Sequence, residues 1–371
     1  MAKTKKRVSR GKRRPARGAV SRPRPVVRDR RALEKQIWEM SRVLAERDFA
    51  TPEEANAFVQ DAISKRESFN SAKLTPLDQA QDLMYTAFDS AGKRRVALAR
   101  RALEISPDCA DAYTLLAEEQ AETLQDARSL FEKAVAAGER SLPAGVWDEA
   151  GSFWAIVETR PYMRARCGLA QVLWALSEAD RAIEHYRELL RLNPNDNQGA
   201  RFDYINCLML RGRDDEAAAV LDRYKSEISA AWLFSRALCL FRREGKGRKA
   251  SAALAKAFDA NPHVLAYLLD LEDMPRRIPE AYQFGDENEA ALYVLDASRL
   301  WDETEGALEW AAMWMIRAFR RRPTAVAEGD LDDPALAELH GPPRQTPKPR
   351  KKAVSSVHLE AVKIMRRIPG A

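Results

Sequence analysis

The chain has few of the side chains from which catalytic and metal sites are usually built. It contains 4 His and 4 Cys among 371 residues, with no Cys-x-x-Cys pair. Zinc sites take ligands at short spacing, and nucleophilic catalysis needs a nucleophile beside a base. The sequence therefore predicts no enzymatic activity, no metal and no cofactor. It also predicts small buried thiols of the kind found in a reducing cytoplasm.

Long hydrophobic runs are also missing. The longest stretch without a charged residue has eleven residues, 167–177, whereas a membrane-spanning helix needs roughly 20. The basic N-terminus leads into no apolar run of the kind that signal peptides have. We therefore expect a cytoplasmic protein without a membrane segment.

Glycine and strand-like patterns are scarce as well. The chain has 16 Gly and 8% aromatic residues, and no segment alternates Val, Ile or Thr with polar residues as a strand does. Ala, Leu, Arg and Glu, which favour helix, are abundant. These features predict an all-α fold.

Three short phrases with a proline recur along the chain and give it a period. ISPD, LNPN and ANPH contain Pro107, Pro194 and Pro262, and each closes a stretch with Ala or Leu on one helical face. The last two prolines are 68 residues apart, twice the roughly 34 residues of a tetratricopeptide repeat. The spacing predicts a tetratricopeptide-repeat α-α superhelix, a solenoid of about five helix pairs, over residues 75–320.

One interval breaks this period. Pro107 and Pro194 are 87 residues apart, which is 19 more than two repeats. The excess predicts an insertion at residues 139–160, which holds Pro143 and Trp147 among other turn-forming and aromatic residues. The sequence leaves open whether this insertion forms a lid or extends a helix.

The region before the repeats has a helical pattern of its own. Leu33, Ile37, Met40 and Leu44 fall at helical spacing. Residues 29–74 are therefore expected to form an N-terminal helical segment.

Two basic tails flank an acidic body. Residues 1–31 hold fourteen Lys and Arg against one acid, and residues 344–371 hold eight against one, so the net charge of +6 conceals a body of −14. Prolines and mutual repulsion predict a disordered basic tail at residues 1–28. A Pro-rich basic tail with a short amphipathic helix is expected at residues 321–371.

Four blocks of sequence are more specific than a generic repeat. RALEISPDCADAYTLLAEE from Arg101, NPHVLAYLLDL from Asn261, GDENEAALY from Gly285 and EGALEW from Glu305 resemble the suppression-of-tumorigenicity-seven family. That family is a divergent branch of tetratricopeptide-repeat proteins, and the likeness covers residues 95–315. It implies the repeat fold and a binding role, and no reaction. Animal members have hydrophobic membrane segments, so this chain resembles a soluble, bacterial relative.

The candidate binding site is the face of each pair's first helix that lines the hollow of the superhelix. Polar side chains there could donate to or accept from a peptide or protein segment, and a solvated charged surface is the alternative interpretation. Counting from the closing prolines, this face should include Asp111, Thr114, Glu118, Arg164, Gln171, Asn206, Ser235 and Arg242. Arg164 and Asn206 would supply part, but not all, of a clamp for a terminal carboxylate.

The basic N-terminal tail supports an alternative function, a nucleic-acid-associated factor. Its cations could displace counterions from a phosphate backbone without sequence preference, although it lacks an aromatic residue on which bases stack. The candidate contacts are Lys5, Lys6, Arg7, Lys12, Arg13 and Arg14. The leading hypothesis is a non-enzymatic scaffold with a protein or peptide partner, whose identity and oligomeric state the sequence leaves open.

Overall fold

The structure is a computed structural model, and it describes most of the chain between the two tails. The described residues are 29–65, 73–277, 279 and 281–321. Within them the regular structure consists of α-helices and short 3-10 helices, which confirms the all-α prediction. The two predicted tails, apart from Arg321 at the end of the last helix, lie outside the described residues. The six basic residues proposed to contact nucleic acid lie outside them as well.

Fifteen α-helices follow one another along the described ranges. Their bounds are α1 Lys35–Ala45, α2 Pro52–Lys65, α3 Pro76–Phe88, α4 Gly92–Ile105, α5 Ala110–Gln120, α6 Leu124–Ser141, α7 Arg160–Ala175, α8 Ala179–Leu192, α9 Ala200–Leu210, α10 Asp214–Arg223, α11 Ala230–Glu244, α12 Arg248–Ala260, α13 His263–Leu268, α14 Glu287–Glu303 and α15 Ala307–Arg321.

Helices α3 to α12 form five consecutive pairs stacked side by side. Each helix packs on the next one, and the first helices of the pairs (α3, α5, α7, α9 and α11) also contact each other in turn. In a curved stack, the layer whose helices meet directly is the inner one. The first helices therefore form an inner layer and the second helices an outer layer, as expected for a tetratricopeptide-repeat solenoid.

The recurring prolines end second helices, as their spacing predicts. α4 ends at Ile105, α8 at Leu192 and α12 at Ala260, each two residues before a proline. The cause is local, because the residue that precedes a proline avoids the helical region of backbone conformation.

Small residues let neighbouring helices approach closely. Ala182, Ala250 and Ala257 are fully buried, and a Cβ added to Gly168 of α7 would lie 2.2 Å from the Phe131 ring of α6. α6 likewise runs through Gly138, where an added Cβ would lie 2.9 Å from Tyr162. These contacts produce the interlocked packing that repeat helices require.

The region that breaks the period forms 3-10 helices packed on the core. α6 extends to Ser141, and 3-10 helices follow at Ala144–Glu149, Phe153–Ala155 and Val157–Thr159. The Phe153 side chain is fully buried, and its ring centroid lies 5.4 Å from that of Trp147. The inserted residues therefore contribute to the core between α6 and α7.

The N-terminal region forms the expected helix but buries a different face. A 3-10 helix, Arg30–Glu34, leads into α1, and the buried side chains of the two are Ala32, Trp38 and Val43. Leu33 and Ile37, which define the apolar spacing, are 58% and 41% exposed. The Trp38 ring lies 5.5 Å from that of Tyr85 on α3, and burying this large ring decides which face docks.

Helix α14 lies against the inner layer near the C-terminal end of the stack. It contacts α9 and α11, both of which are first helices, as well as α13 and α15. Its buried residues include Tyr293 and Trp301, whose indole N–H donates to the Tyr293 hydroxyl at 2.9 Å. α15 then packs Trp310 against the ring of Phe241 on α11 at 4.6 Å.

Candidate functional site

The eight predicted site residues all lie on first helices, but half of them are buried. Asp111, Thr114, Arg164 and Ser235 are at most 5% exposed, so a partner cannot reach them as the structure places them. The inner layer is therefore not open along its whole length. The reason is that segments of the same chain cover both ends of the layer. Whether the eight residues bind a partner stays a prediction.

At the N-terminal end, Arg164 is held by two carboxylates of its own chain. Its Nε and Nη2 donate to the two oxygens of Asp111 at 2.9 and 2.7 Å, and its Nη1 donates to Glu34 Oε2 at 2.9 Å. The Gln81 amide also donates to Asp111 at 2.9 Å. Bidentate pairing of this kind fixes both partners in one geometry.

The electrostatics explain why this arginine stays charged although it is buried. Burial lowers the pKa of Arg164, but the carboxylates of Asp111 and Glu34 outweigh burial and raise it. Arg164 therefore binds two carboxylates, whereas the clamp predicted from the sequence was for a terminal carboxylate of a partner, which stays a prediction. The carboxylates belong to α5 and to the N-terminal segment of the same chain.

The N-terminal segment, residues 29–45, contacts several helices of the inner layer. Arg31 donates to both oxygens of Glu118 on α5 at 3.0 and 2.8 Å, and its guanidinium lies 4.4 Å from the centre of the Phe88 ring. Lys35 pairs with Asp82 on α3 at 2.7 Å. Glu118, predicted to face a partner, therefore faces this segment.

Asp29 begins the segment with a carboxylate between two arginines. It accepts from Arg31 at 2.8 Å and from Arg95 of α4 at 2.6 Å. Burial raises the pKa of Asp29, but these hydrogen bonds and charges outweigh burial and lower it to about 2. The contact is therefore an ionic one that needs Asp29 deprotonated.

At the C-terminal end, α14 and the residues after it cover the other two predicted groups. The Ser235 hydroxyl interacts with the hydroxyl of Tyr293, and the Phe234 and Tyr293 rings lie 5.8 Å apart. Arg242 donates to Thr304 Oγ1 at 3.2 Å and to Asp214 at 3.0 Å. Both side chains are therefore engaged within the fold.

A buried glutamate ties α14 to the repeats. Glu289 accepts from the backbone N–H of Ala230 at 2.9 Å, from that of Gly285 at 2.7 Å, and from the Asn261 amide at 3.0 Å. The side chain of Asp286 caps α14 by accepting from the Glu289 N–H at 2.8 Å. The Asn-Pro-His-Val block singled out in the sequence thus supplies one partner of this joint.

The middle of the inner layer stays partly exposed, although α14 also contacts α9. Gln171 of α7 and Asn206 of α9 are both half-buried, and the Gln171 amide donates to Asp203 at 3.2 Å. The Tyr186 hydroxyl also lies 3.3 Å from Asp203. Burial raises the pKa of Asp203. This central strip, defined by Gln171, Asp203 and Asn206, can form hydrogen bonds with a ligand.

Sequence reasoning missed the N-terminal residues that cover the inner layer. Arg31, Glu34 and Trp38 are three and then four residues apart, so they share one face of a helical turn. That spacing was the available signal. It was overlooked because the apolar spacing of Leu33 and Ile37 is the more obvious one.

The described residues show neither a metal centre nor a reactive thiol. No group of three or more His, Cys, Asp or Glu side chains within them could hold a metal ion. Their four cysteines are buried and unpaired, and burial raises the pKa of Cys239 to about 11 and that of Cys109 to about 12. Thiols with such pKa values are poor nucleophiles.

No helix in the described ranges is both long enough and apolar enough to cross a membrane.

Comparison with known proteins confirms the resemblance and the repeat. The family model described as ST7 protein matches residues 48–149, and a tetratricopeptide-repeat model matches residues 173–228. The first match includes the block from Arg101, whereas the block from Asn261 lies outside both matches. A likeness to the ST7 family and a tetratricopeptide-repeat fold are therefore both present in this chain.

Curated relatives extend the likeness over more of the chain. The suppressor of tumorigenicity 7 protein-like protein of Bos taurus is 28% identical over 260 residues, which are 64% of this chain and 47% of the relative. The protein ST7 homolog of Caenorhabditis elegans is 26% identical over 267 residues, 62% of this chain and 49% of the relative. The chain thus spans about half the length of the curated relatives it matches. Its bacterial origin stays a prediction.

A solved structure with a similar repeat is described as that of YrrB, a tetratricopeptide-repeat protein with an unusual peptide-binding site. It is 25% identical, covers 55% of this chain and 91% of its own, and has a TM-score of 0.35. That TM-score is too low for the YrrB peptide site to be transferred to this chain.

Proposed function

We propose that the chain is a non-enzymatic scaffold that binds a peptide or protein segment along its inner layer. The observation that carries this proposal is the partly exposed central strip of Gln171, Asp203 and Asn206, between two parts of the layer that the chain itself covers. Its amide and carboxylate groups can pair with the backbone or basic side chains of an extended segment. Stacked repeats commonly use such surfaces for binding.

The ion pairing within the inner layer is consistent with a binding role. In the N-terminal half of the layer charged residues pair with each other, as Arg164 does with Asp111. In its middle, desolvation and the nearby charge of Asp203 raise the pKa of Asp296 on α14 to about 7. The pKa values of the buried thiols are raised, which is the reverse of what a nucleophile needs. We also propose a cytoplasmic location, on the basis of the four free cysteines.

Binding of nucleic acid is the weaker alternative. It depends on six basic residues that lie outside the described residues. These are Lys5, Lys6, Arg7, Lys12, Arg13 and Arg14. No observation in the described part favours nucleic-acid binding. We therefore do not develop it as a second function.

Site-specific cross-linking in the native cell tests the proposed function. A photo-reactive amino acid placed at Asn206, on the central strip, should cross-link the full-length chain to a protein partner. The same group at Glu184, which is exposed on the outer helix α8, is the matched control and should not. Equal cross-linking from both positions, or none from Asn206, would contradict binding along the inner layer.

A second variant tests whether the cross-link depends on the central strip. With the photo-reactive group at Gln171, the change Asn206→Arg puts a bulky cation on the central strip and should reduce the cross-link at least tenfold. Melting of the variant should be unchanged within a few degrees, because Asn206 is half-buried and outside the packed core.

A further inference from the structure

The N-terminal half of the inner layer already holds a helical segment. Residues 29–45 contact α3 through Trp38, α5 through Arg31, and α7 through Glu34. Ser41 also donates to Glu158, in the 3-10 helix before α7, at 2.6 Å. One short segment thus spans three consecutive repeats, which is the way a bound ligand would lie.

The contacts define a recognition pattern. Arg31, Glu34 and Trp38 share one helical face, and each has a complement on the repeats. Glu118 receives the arginine and Arg164 receives the glutamate. Tyr85 packs against the indole ring at 5.5 Å. A helix that presents arginine, glutamate and tryptophan at this spacing therefore fits the surface.

The segment is attached loosely to the rest of the fold. Within it Ala32, Trp38 and Val43 are buried. Its other contacts are mainly ion pairs that retain some exposure, together with the hydrogen bond of Ser41 and the contact of Arg31 with the Phe88 ring. The connection from α1 to α3 covers residues 46–75, and in the described part of that connection only Ala62 is buried. Few buried contacts make a segment open at low free-energy cost.

We infer that this half of the inner layer is a binding site for an amphipathic helix of a partner protein, and that residues 29–45 are its resident intramolecular ligand. A partner helix with an arginine, a glutamate and a tryptophan on one face replaces the resident segment. This inference rests on the proposed scaffold function and names the partner's chemistry for one part of the inner layer.

The resident segment competes with any partner at high effective concentration. A tethered ligand acts as if it were present at about millimolar concentration. Weakening the resident segment should therefore expose the site to an added helix. Glu34→Arg does this directly, because it places a third cation beside Arg160 and Arg164, which lie 3.3 and 2.9 Å from the Glu34 carboxylate.

The test is a titration of the full-length chain with a dye-labelled synthetic peptide of residues 29–46, followed by fluorescence anisotropy. The Glu34→Arg protein should bind the unmodified peptide at least tenfold more tightly than the wild-type protein does. Gln36→Arg, a matched charge change on the exposed side of α1, should behave like wild type. A peptide that itself carries Glu34→Arg should bind none of the three proteins.

The controls keep the test decisive. If Glu34→Arg lowers the helix content of the repeats, Trp38→Ala replaces it, because that change removes the Tyr85 contact without adding charge. Equal peptide affinity for wild type and the released variant, or no binding to a released variant with intact repeats, would overturn the inference. Cross-linking from Asn206 is measured independently. If the peptide does not bind but Asn206 cross-links to a partner, this inference is wrong and the proposed scaffold function stands.

Discussion

The two ends of the inner layer are covered by the chain itself, but in different ways. At the C-terminal end α14 buries eight side chains, among them Tyr293 and Trp301, and Glu289 satisfies backbone groups of two neighbouring segments. At the N-terminal end the 3-10 helix and α1 bury three side chains, and most of the remaining contact is ionic. α14 is therefore part of the core, whereas residues 29–45 can leave it. The same surface holds a permanent cover and a removable one.

The largest expected effect comes from replacing the main aromatic side chain of each covering element, which is Trp301 in α14 and Trp38 in residues 29–45. Trp301→Ala deletes a fully buried indole and its hydrogen bond to Tyr293, so the free energy of unfolding should fall by about 3–5 kcal/mol. Trp38→Ala should expose α1 to hydrogen exchange while the repeats keep most of their stability. Chemical denaturation and hydrogen exchange of both variants measure the two losses of stability. Losses of equal size would contradict the comparison.

Arg164 provides a second test, because its ion pair with Glu34 joins residues 29–45 to the repeats. Arg164→Ala leaves the carboxylate of Asp111, which is fully buried, without its cation, and should cost about 3 kcal/mol or more of stability. Arg187→Ala is the control, because its ion pair with Glu216 is half-exposed and worth less than about 1 kcal/mol. Similar melting curves for the two variants would show that the buried pair is unimportant.

The hydrogen bonds of Glu289 test whether α14 is a permanent part of the core. Glu289→Ala leaves the Ala230 N–H and the Asn261 amide without an acceptor, which should cost about 2–3 kcal/mol. Glu287→Ala, at an exposed position in the same turn, should cost less than about 0.5 kcal/mol. Thermal melts of both variants decide this, and equal melting temperatures would place α14 among the removable elements.

The smallest predicted effect is a dependence on pH that is confined to the N-terminal cover. The pKa of Asp29 is lowered from 3.8 to about 2 in the docked state. Its ion pairs therefore stabilise docking by about 2 kcal/mol above pH 4, and this contribution is lost as the pH falls towards 2. A dye attached to a Gln36→Cys variant should report release by a drop in anisotropy over that range.

The matched control for this prediction is the same labelled protein with Asp29→Asn. An amide cannot carry the charge, so the change in anisotropy between pH 4 and pH 2 should be smaller, and the ion pairs of Glu34, Glu118 and Asp82 account for what remains. If the transition is equally large in the Asp29→Asn variant, those carboxylates alone control docking and the role assigned to Asp29 is wrong.

The repeat architecture was largely predictable from the sequence because it is set by local and periodic features. Each helix that precedes one of the recurring prolines, Pro107, Pro194 and Pro262, ends two residues before it. On α8 the small Ala182 and the large Tyr186 lie on one helical face. Both features act within a few residues of the chain. The spacing of the repeats then follows from stacking like units.

The covering of the inner layer was not predictable in the same way. Leu33 and Ile37 have the more obvious apolar spacing, yet Trp38 and the pairing of Glu34 with Arg164 decide which face docks. That pairing joins residues 130 positions apart. Its contribution to stability depends on both side chains being buried together. Periodicity within one helix carries no information about such a partner.

The sequence by itself determined the helices, their ends and the order in which they stack, because backbone sterics and side-chain period act locally. Only the tertiary structure decided which stretch of the inner layer stays open. That outcome depends on α14 and residues 29–45 folding back over helices distant in the chain. Burial then turns Arg164, Asp111 and Ser235 from candidate ligand contacts into internal ones.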